Sequence, residues 1–313
     1  MLRYLWAKST VICTLGLLIC SVQSAVAETV KEKIIRTGTL TAGTSKDALP
    51  FAYRNDEGEL IGYSIDILKL ITRQLEKEYD RDIKLELIAL QPKERIPQLI
   101  TGEVDIVCDA SSFTWKRDRQ VDFSFSYSST GTRLVTQKGN DYWDAESLAH
   151  RRVGALAKTT SEKTIRRVQP EAELVIVKDR AEGFEALEAG EIDAFASDGI
   201  LLESWLTQID NPEQWQIVGD YSREGIACMV PENNSQFLNT VNYSLIEFMQ
   251  GLLNNRPEYV TIFEQWFGPK GVLPLTQDLS NIMIDNMQLL IDFKDKIIDV
   301  DSKPKNKGID SIN

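Results

Sequence analysis

One phrase of seven residues occurs twice in the chain. Leu-Ile-Thr-Gly-Glu-Val-Asp at 99–105 returns as Leu-Glu-Ala-Gly-Glu-Ile-Asp at 187–193. Each copy ends a helical pattern, turns at a glycine and enters a short apolar run, so each marks the step from a helix into a buried strand. The surroundings repeat too. In the first half, 39–43 reads as a strand, 50–53 as a loop, and Gly58 and Gly62 bracket a turn or hairpin. Ile65, Leu68, Ile71, Thr72 and Leu75 then recur at helical spacing up to Tyr79. Ile83, Leu85 and Leu87 alternate as a strand, and 95–101 is a short helix before the strand at 104–108. The second half gives strand 153–156, helix 160–168, strand 174–177, helix 181–189 and strand 194–197. Strands alternating with helices at this spacing imply right-handed crossovers and parallel sheets, hence an α/β chain. A length of 313 residues suits two such lobes.

Facing lobes would put both sets of strand ends into one cleft, the usual place for a ligand in open α/β sheets. The chain passes between the lobes twice, at 123–134 and at 222–229. Lobe 1 is then 28–127 together with 225–298, and lobe 2 is 128–224. Two extended crossings make a hinge, so closure over a ligand is expected to be a rigid-body motion. The end of lobe 1 carries an extension in which Asp278 caps an amphipathic helix to Ile298, with Ile282, Leu289, Ile291 and Phe293 packing inward. Residues 299–313 are polar and read as a disordered tail.

The first 27 residues carry Arg3 and Lys8, an apolar run at 11–20, and small residues ending Ala25-Val26-Ala27. This is the pattern of a signal peptide cleaved before Glu28, and the apolar run is shorter than the ~20 residues of a membrane-spanning helix. Cleavage leaves two cysteines, Cys108 and Cys228, and an exported chain of 33 basic against 47 acidic residues. Two cysteines in an oxidising compartment either pair or stay as buried thiols. Nothing basic offsets the acidic balance, which argues against nucleic acid as a partner. A single histidine, His150, lies in a polar stretch, so neither histidine catalysis nor a histidine metal site is expected. The chain has no P-loop, no glycine-rich dinucleotide turn and no nucleophile elbow.

The site reading centres on 101–127. The buried strand at 104–108 gives way to a polar bend at 109–114, and Arg117 follows. Ser111, Ser112, Thr114 and Arg117 are the hydroxyls, amides and charge that converge at a strand end, and a guanidinium matches a carboxylate with two hydrogen bonds. Lys116, Asp118 and Arg119 crowd around it, so the residues alone also allow a solvated loop arginine.

This stretch resembles the first-hinge signature of the family 3 extracellular solute-binding proteins, periplasmic receptors that feed polar amino acids to ABC importers. Within them it is most similar to the glutamate/aspartate-binding branch. The resemblance covers nearly all of the chain after the leader, including Gly-Ile-Ala-Cys-Met-Val at 225–230 as the return strand and Trp266-Phe267-Gly268 as the common family ending. It implies a type II periplasmic binding protein fold, a two-segment hinge and a Cys108–Cys228 disulfide.

The resemblance also implies a clamp for an L-amino acid. Arg117 grips the α-carboxylate, Ser112 adds a hydroxyl and an amide, and the Ala110 carbonyl accepts from the α-ammonium. From lobe 2, Thr159 and Thr160 close over the same carboxylate. Thr159-Thr160-Ser161-Glu162 reads independently as a capping box, whose free amides suit an anion, though an ordinary cap has the same form. Lys158 stands where the family has glycine. Asp198, before Gly199, matches the acid that pairs with the ammonium, and as an acid at a helix start it also reads as a cap. Phe51 matches an aromatic wall and reads equally as a core residue. Arg95 matches an arginine associated with the side-chain carboxylate, and Arg180 replaces a histidine near the same end. Ser45 stands in place of a further branch arginine, with Lys46 beside it, and Pro92 replaces a serine.

The function expected is capture of glutamate or aspartate, with glutamine and asparagine as alternatives, by a monomer without cofactor, and delivery to a membrane permease driven by an ATPase. The rival is an enzyme on the same scaffold, a cyclohexadienyl dehydratase using Glu94, Asp109 or Asp198 as acid or base.

Overall fold

Two five-stranded sheets organise the chain in a computed structural model that describes residues 28–298; the expected leader and the polar tail lie outside these residues. The first sheet runs Lys84–Ala89, Thr39–Thr44, Ile106–Val107, Glu224–Val230, Asp122–Thr130. The second runs Glu173–Val177, Arg152–Leu156, Ala194–Asp198, Thr132–Gln137, Trp215–Val218. In each sheet the first three strands are parallel and the fourth is antiparallel to both of its neighbours. The all-parallel sheets expected from the sequence are therefore mixed. Asp122–Thr130 carries the chain out of the first sheet and Glu224–Val230 brings it back, so the two must point in opposite directions as they pair. Where the crossing begins, Gly131 presses against the returning chain so closely that a Cβ would lie 1.9 Å from the Ser222 carbonyl oxygen.

The repeated phrase has the same job in both lobes. Its glycine, Gly102 or Gly190, takes a left-handed φ as the helix ends, at +73° and +69° respectively. The apolar residue that follows, Val104 or Ile192, is buried. The closing aspartate then locks onto the neighbouring strand, Thr39–Thr44 or Arg152–Leu156. Asp105 accepts from the Thr41 N–H at 2.9 Å and Asp193 from the Arg152 N–H at 2.8 Å. Each also donates its own N–H to that residue's carbonyl, at 2.8 Å in both lobes. The short aspartate side chain and its own backbone N–H thus bond the same residue of the neighbouring strand in both copies.

The core of lobe 1 forms around Tyr63, at the start of helix Tyr63–Tyr79. Its ring lies 5.8 Å from Tyr127, 6.1 Å from Phe248 and 4.9 Å from Phe267. Phe248 and Phe267 come from helices Ser235–Leu253 and Pro257–Phe267, which follow the return strand and which the sequence reading left unassigned. The final helix runs Gln277–Ile298, so Asp278 lies inside its first turn and not at its cap. Its buried stripe is Met283, Met287 and Ile291, spaced by four, while Leu289, expected inside, is 55 % exposed. Of the other two residues expected there, Ile282 and Phe293, the side chains lie outside the described set. Cys108 and Cys228 form a disulfide with Cα atoms 4.4 Å apart, stapling the end of the third strand to the return strand. Among the described residues no helix is long and apolar enough to cross a membrane.

Candidate functional site

Arg117 sits on the four-residue helix Trp115–Asp118, capped by Thr114, and is buried. Its Nη1 donates to the Ser112 carbonyl at 2.8 Å and its Nη2 to the Lys158 carbonyl at 3.2 Å, the second bond crossing from lobe 1 to lobe 2. Among the described residues no carboxylate pairs with it. Burial lowers its pKa, and the neighbouring Arg95 adds to that, which leaves a cation held in place without a counter-ion.

Lys158 adopts a φ of +64°, the left-handed conformation that glycine would take with less strain. The turn it makes brings the chain into helix Thr160–Val168. Thr159 caps that helix, its Oγ1 accepting from the Glu162 N–H at 3.1 Å. The reciprocal half of the box differs from expectation: the Glu162 carboxylate accepts from the Lys158 N–H at 2.6 Å, one residue before the cap. The Glu182 carboxylate makes the same bond to the Lys178 N–H at the next helix of this lobe. Thr160 is buried on the first turn, where N–H groups have no helical partner.

Asp198 ends strand Ala194–Asp198 and opens helix Gly199–Leu206, yet makes no side-chain cap bond. Its Oδ1 is buried without a partner. Desolvation, then the nearby Glu224, pushes its pKa up to about 7, against the pull of Arg180, Arg117 and Arg95. Glu224, at the start of the return strand, accepts at Oε1 from Ser222 Oγ at 2.5 Å and from Thr132 Oγ1 at 3.4 Å. Its Oε2 is also buried without a partner. Sequence reasoning did not single out Glu224; the available signal was an acid entering an apolar strand at a hinge.

Arg95 and Arg180 each carry a carboxylate of the protein's own. Arg95 Nη2 lies 2.8 Å from Asp109 Oδ2 and 2.8 Å from Ser45 Oγ, and Nη1 donates to Ser111 Oγ at 3.2 Å. Asp109 is wholly buried and accepts further from Ser45 Oγ at 2.9 Å and Ser111 Oγ at 2.5 Å. Arg180 Nη1 reaches across to Asp47 Oδ1 at 2.6 Å, an ion pair between lobe 2 and lobe 1. On both arginines the Nε is buried and unpaired. Ala110 and Ser112 are buried beside Asp109 on the bend. Phe51 is fully enclosed in the lobe 1 cluster, its ring 6.4 Å from Tyr63, in a cluster that also takes in Leu201 of lobe 2.

Arg117, Asp198, Glu224, Arg95 and Arg180 thus influence one another electrostatically at the junction of the lobes. A groove of about 560 Å³ lies between Gln91, Pro92 and Lys93 on one side and Leu156, Ala157 and Ile176 on the other, and none of these five charged residues lines it. A second groove, on lobe 1 around Lys31, Glu78 and Thr240, likewise holds none of them. Among the described residues no three His, Cys, Asp or Glu side chains are grouped to hold a metal ion.

Residues 40–269 match the family model described as bacterial extracellular solute-binding proteins, family 3. The glutamate/aspartate import solute-binding protein of Escherichia coli (strain K12) is 28% identical over 265 residues, 83% of this chain and 86% of the relative. The L-glutamate/L-aspartate-binding protein of Pseudomonas aeruginosa (strain PAO1) is 30% identical over 267 residues, 80% of this chain and 86% of the relative. Among solved structures, an ancestral arginine-binding protein bound to glutamine superposes with a TM-score of 0.66 at 31% identity, covering 74% of this chain and 98% of that one. The paired mixed sheets, the double crossing and a match over most of the chain agree: the protein belongs to the bacterial extracellular solute-binding proteins, family 3.

Proposed function

We propose that the protein is a periplasmic receptor that captures a polar L-α-amino acid of the glutamate, aspartate, glutamine or asparagine kind and delivers it to the permease of an ABC importer. The observation that carries this reading is the opposed pair in the closed cleft: a buried guanidinium without a carboxylate and a buried carboxylate without a donor. A zwitterion meets both needs at once. Arg117 binds its carboxylate with two parallel hydrogen bonds, aided by the free amides at Thr160, and Asp198 takes its ammonium. Unpaired buried polar atoms are costly, so the empty closed state is disfavoured and the ligand stabilises closure. No covalent step is required.

Calorimetric titration with all common L-amino acids, after unfolding and refolding to strip carried ligand, tests the reading. Saturable binding of one of the four named amino acids supports it. Silence across the panel overturns it, and formation of an aromatic product from prephenate or arogenate would put an enzyme in its place.

Two further results are expected. Binding an ammonium requires ionised Asp198, which below about pH 7 holds a proton in the empty site. Affinity should therefore weaken about tenfold from pH 8 to pH 6, with proton release on binding. Stability of the empty protein moves the other way. A carboxyl whose pKa is raised on folding, from 3.8 to about 7, binds the extra proton in the folded state, so its contribution is lost as pH rises through that window. Affinity flat between pH 6 and 8 would remove Asp198 from this role. Second, Asp47→Ala breaks the 2.6 Å ion pair that joins the lobes. The Asp47 side chain is 30% exposed, so affinity should fall only about threefold to fivefold, read in the same titration.

A further inference from the structure

Three guanidinium groups converge at the junction of the lobes, and two of them are already neutralised. Arg95 is paired with Asp109 at 2.8 Å and Arg180 with Asp47 at 2.6 Å, which leaves Arg117 as the single cation without a carboxylate. The Arg95 pair is the more telling. Asp109 is wholly buried, its Oδ2 bonded to the cation and to the Ser45 hydroxyl and its Oδ1 to the Ser111 hydroxyl, so each oxygen already has a partner within the protein. A buried carboxylate so held does not leave its partner, and a ligand carboxylate arriving at Arg95 would meet two fixed negative oxygens beside the cation.

On both Arg95 and Arg180 the Nε–H is buried without a partner. A lone N–H beside a compensated guanidinium is a donor for a neutral carbonyl. We propose that Asp109 is a specificity-determining residue: it occupies the Arg95 guanidinium as a resident carboxylate, so that the cleft takes an amino acid whose side chain ends in an amide, of the glutamine or asparagine kind, in preference to the corresponding acid. This rests on the amino-acid-receptor reading and narrows it.

Titration of the purified protein with L-glutamine, L-asparagine, L-glutamate and L-aspartate at pH 7.5, beside Asp109→Asn, tests the assignment. The unaltered protein is expected to bind one amide at least tenfold tighter than its acid. Asp109→Asn strips Arg95 of its counter-ion and should move the acid-to-amide affinity ratio at least tenfold toward the acid. Tighter binding of glutamate, aspartate, arginine or lysine than of either amide by the unaltered protein overturns the proposal, as does an unchanged ratio in the variant. Should Asp109→Asn fail to fold, the double variant Arg95→Gln, Asp109→Asn leaves no lone buried charge. It should then show no gain for the acid, and a gain there overturns the proposal. Silence toward every common L-amino acid defeats the receptor reading itself; binding that favours acids defeats only the role of Asp109.

Discussion

Arg117→Ala is expected to weaken amino-acid binding by about 2 to 5 kcal/mol, a loss of thirtyfold or more, because the proposed clamp would lose a bidentate contact to a carboxylate in a closed cleft and leave that carboxylate desolvated. The same substitution should hardly change thermal stability of the empty protein. Arg117 is buried without a counter-ion, so it bears a desolvation cost that its two carbonyl bonds only partly offset, and removing it gives that cost back. The combination separates a ligand-gripping arginine from a structural one, which would lose stability and affinity together. Arg117→Lys keeps the charge but not the planar fork, and should recover only part of the loss. Calorimetric titration with a thermal melt on each variant reads both quantities. Unchanged affinity in the alanine variant would remove Arg117 from the clamp.

Much of the fold was legible because it is written in short-range pattern. The helix, glycine turn and aspartate of 99–105 and 187–193 specify local geometry, and both copies fold alike because each aspartate answers a backbone pair on the nearest strand. Lys158 was legible as an anomaly, a side chain where the loop needs glycine, and the loop kept its left-handed turn in spite of it. The direction of the crossing strands was not legible from alternation alone. An apolar run reads the same whichever way it pairs, and only the return of the chain from lobe 2 fixes it.

Charge pairing was the least legible part of the site. Arg180 and Asp47 are separated by 133 residues and meet only because the lobes close on each other. Arg95 and Asp109 are nearer in sequence, but their pairing depends on a helix start and a strand end facing the same hydroxyls. Asp109 reads in sequence as one polar residue of a bend, with nothing to show that it faces inward. The arginines were found by type and position; the acids that neutralise them required the three-dimensional arrangement.

The disulfide carries the second large effect. Cys108 and Cys228 lie 120 residues apart in sequence, and the loop they close contains both crossings and all of the second sheet. In the chain-entropy account, closing a loop of that length restricts the unfolded chain by about 5 kcal/mol. The double variant Cys108→Ala, Cys228→Ala is therefore expected to lower stability by about that amount and the melting temperature by about 10 to 20 °C, read by urea and thermal unfolding. Reduction of the unaltered protein should lower the urea midpoint in the same direction, while denatured, unreduced protein should titrate no free thiol from this pair. An unchanged midpoint after verified reduction would mean that the ends of the loop are already held together by the surrounding sheet. That outcome has a physical basis to be weighed, since Val107 and Met229, the neighbours of the two cysteines, pair directly across the strands. Ladder bonds stabilise only the folded state, however, whereas the covalent link also restricts the unfolded one. The loss should consequently appear in equilibrium stability while ligand affinity, measured where the variant is folded, stays within about threefold, since neither sulfur belongs to the charged groups that face the cleft.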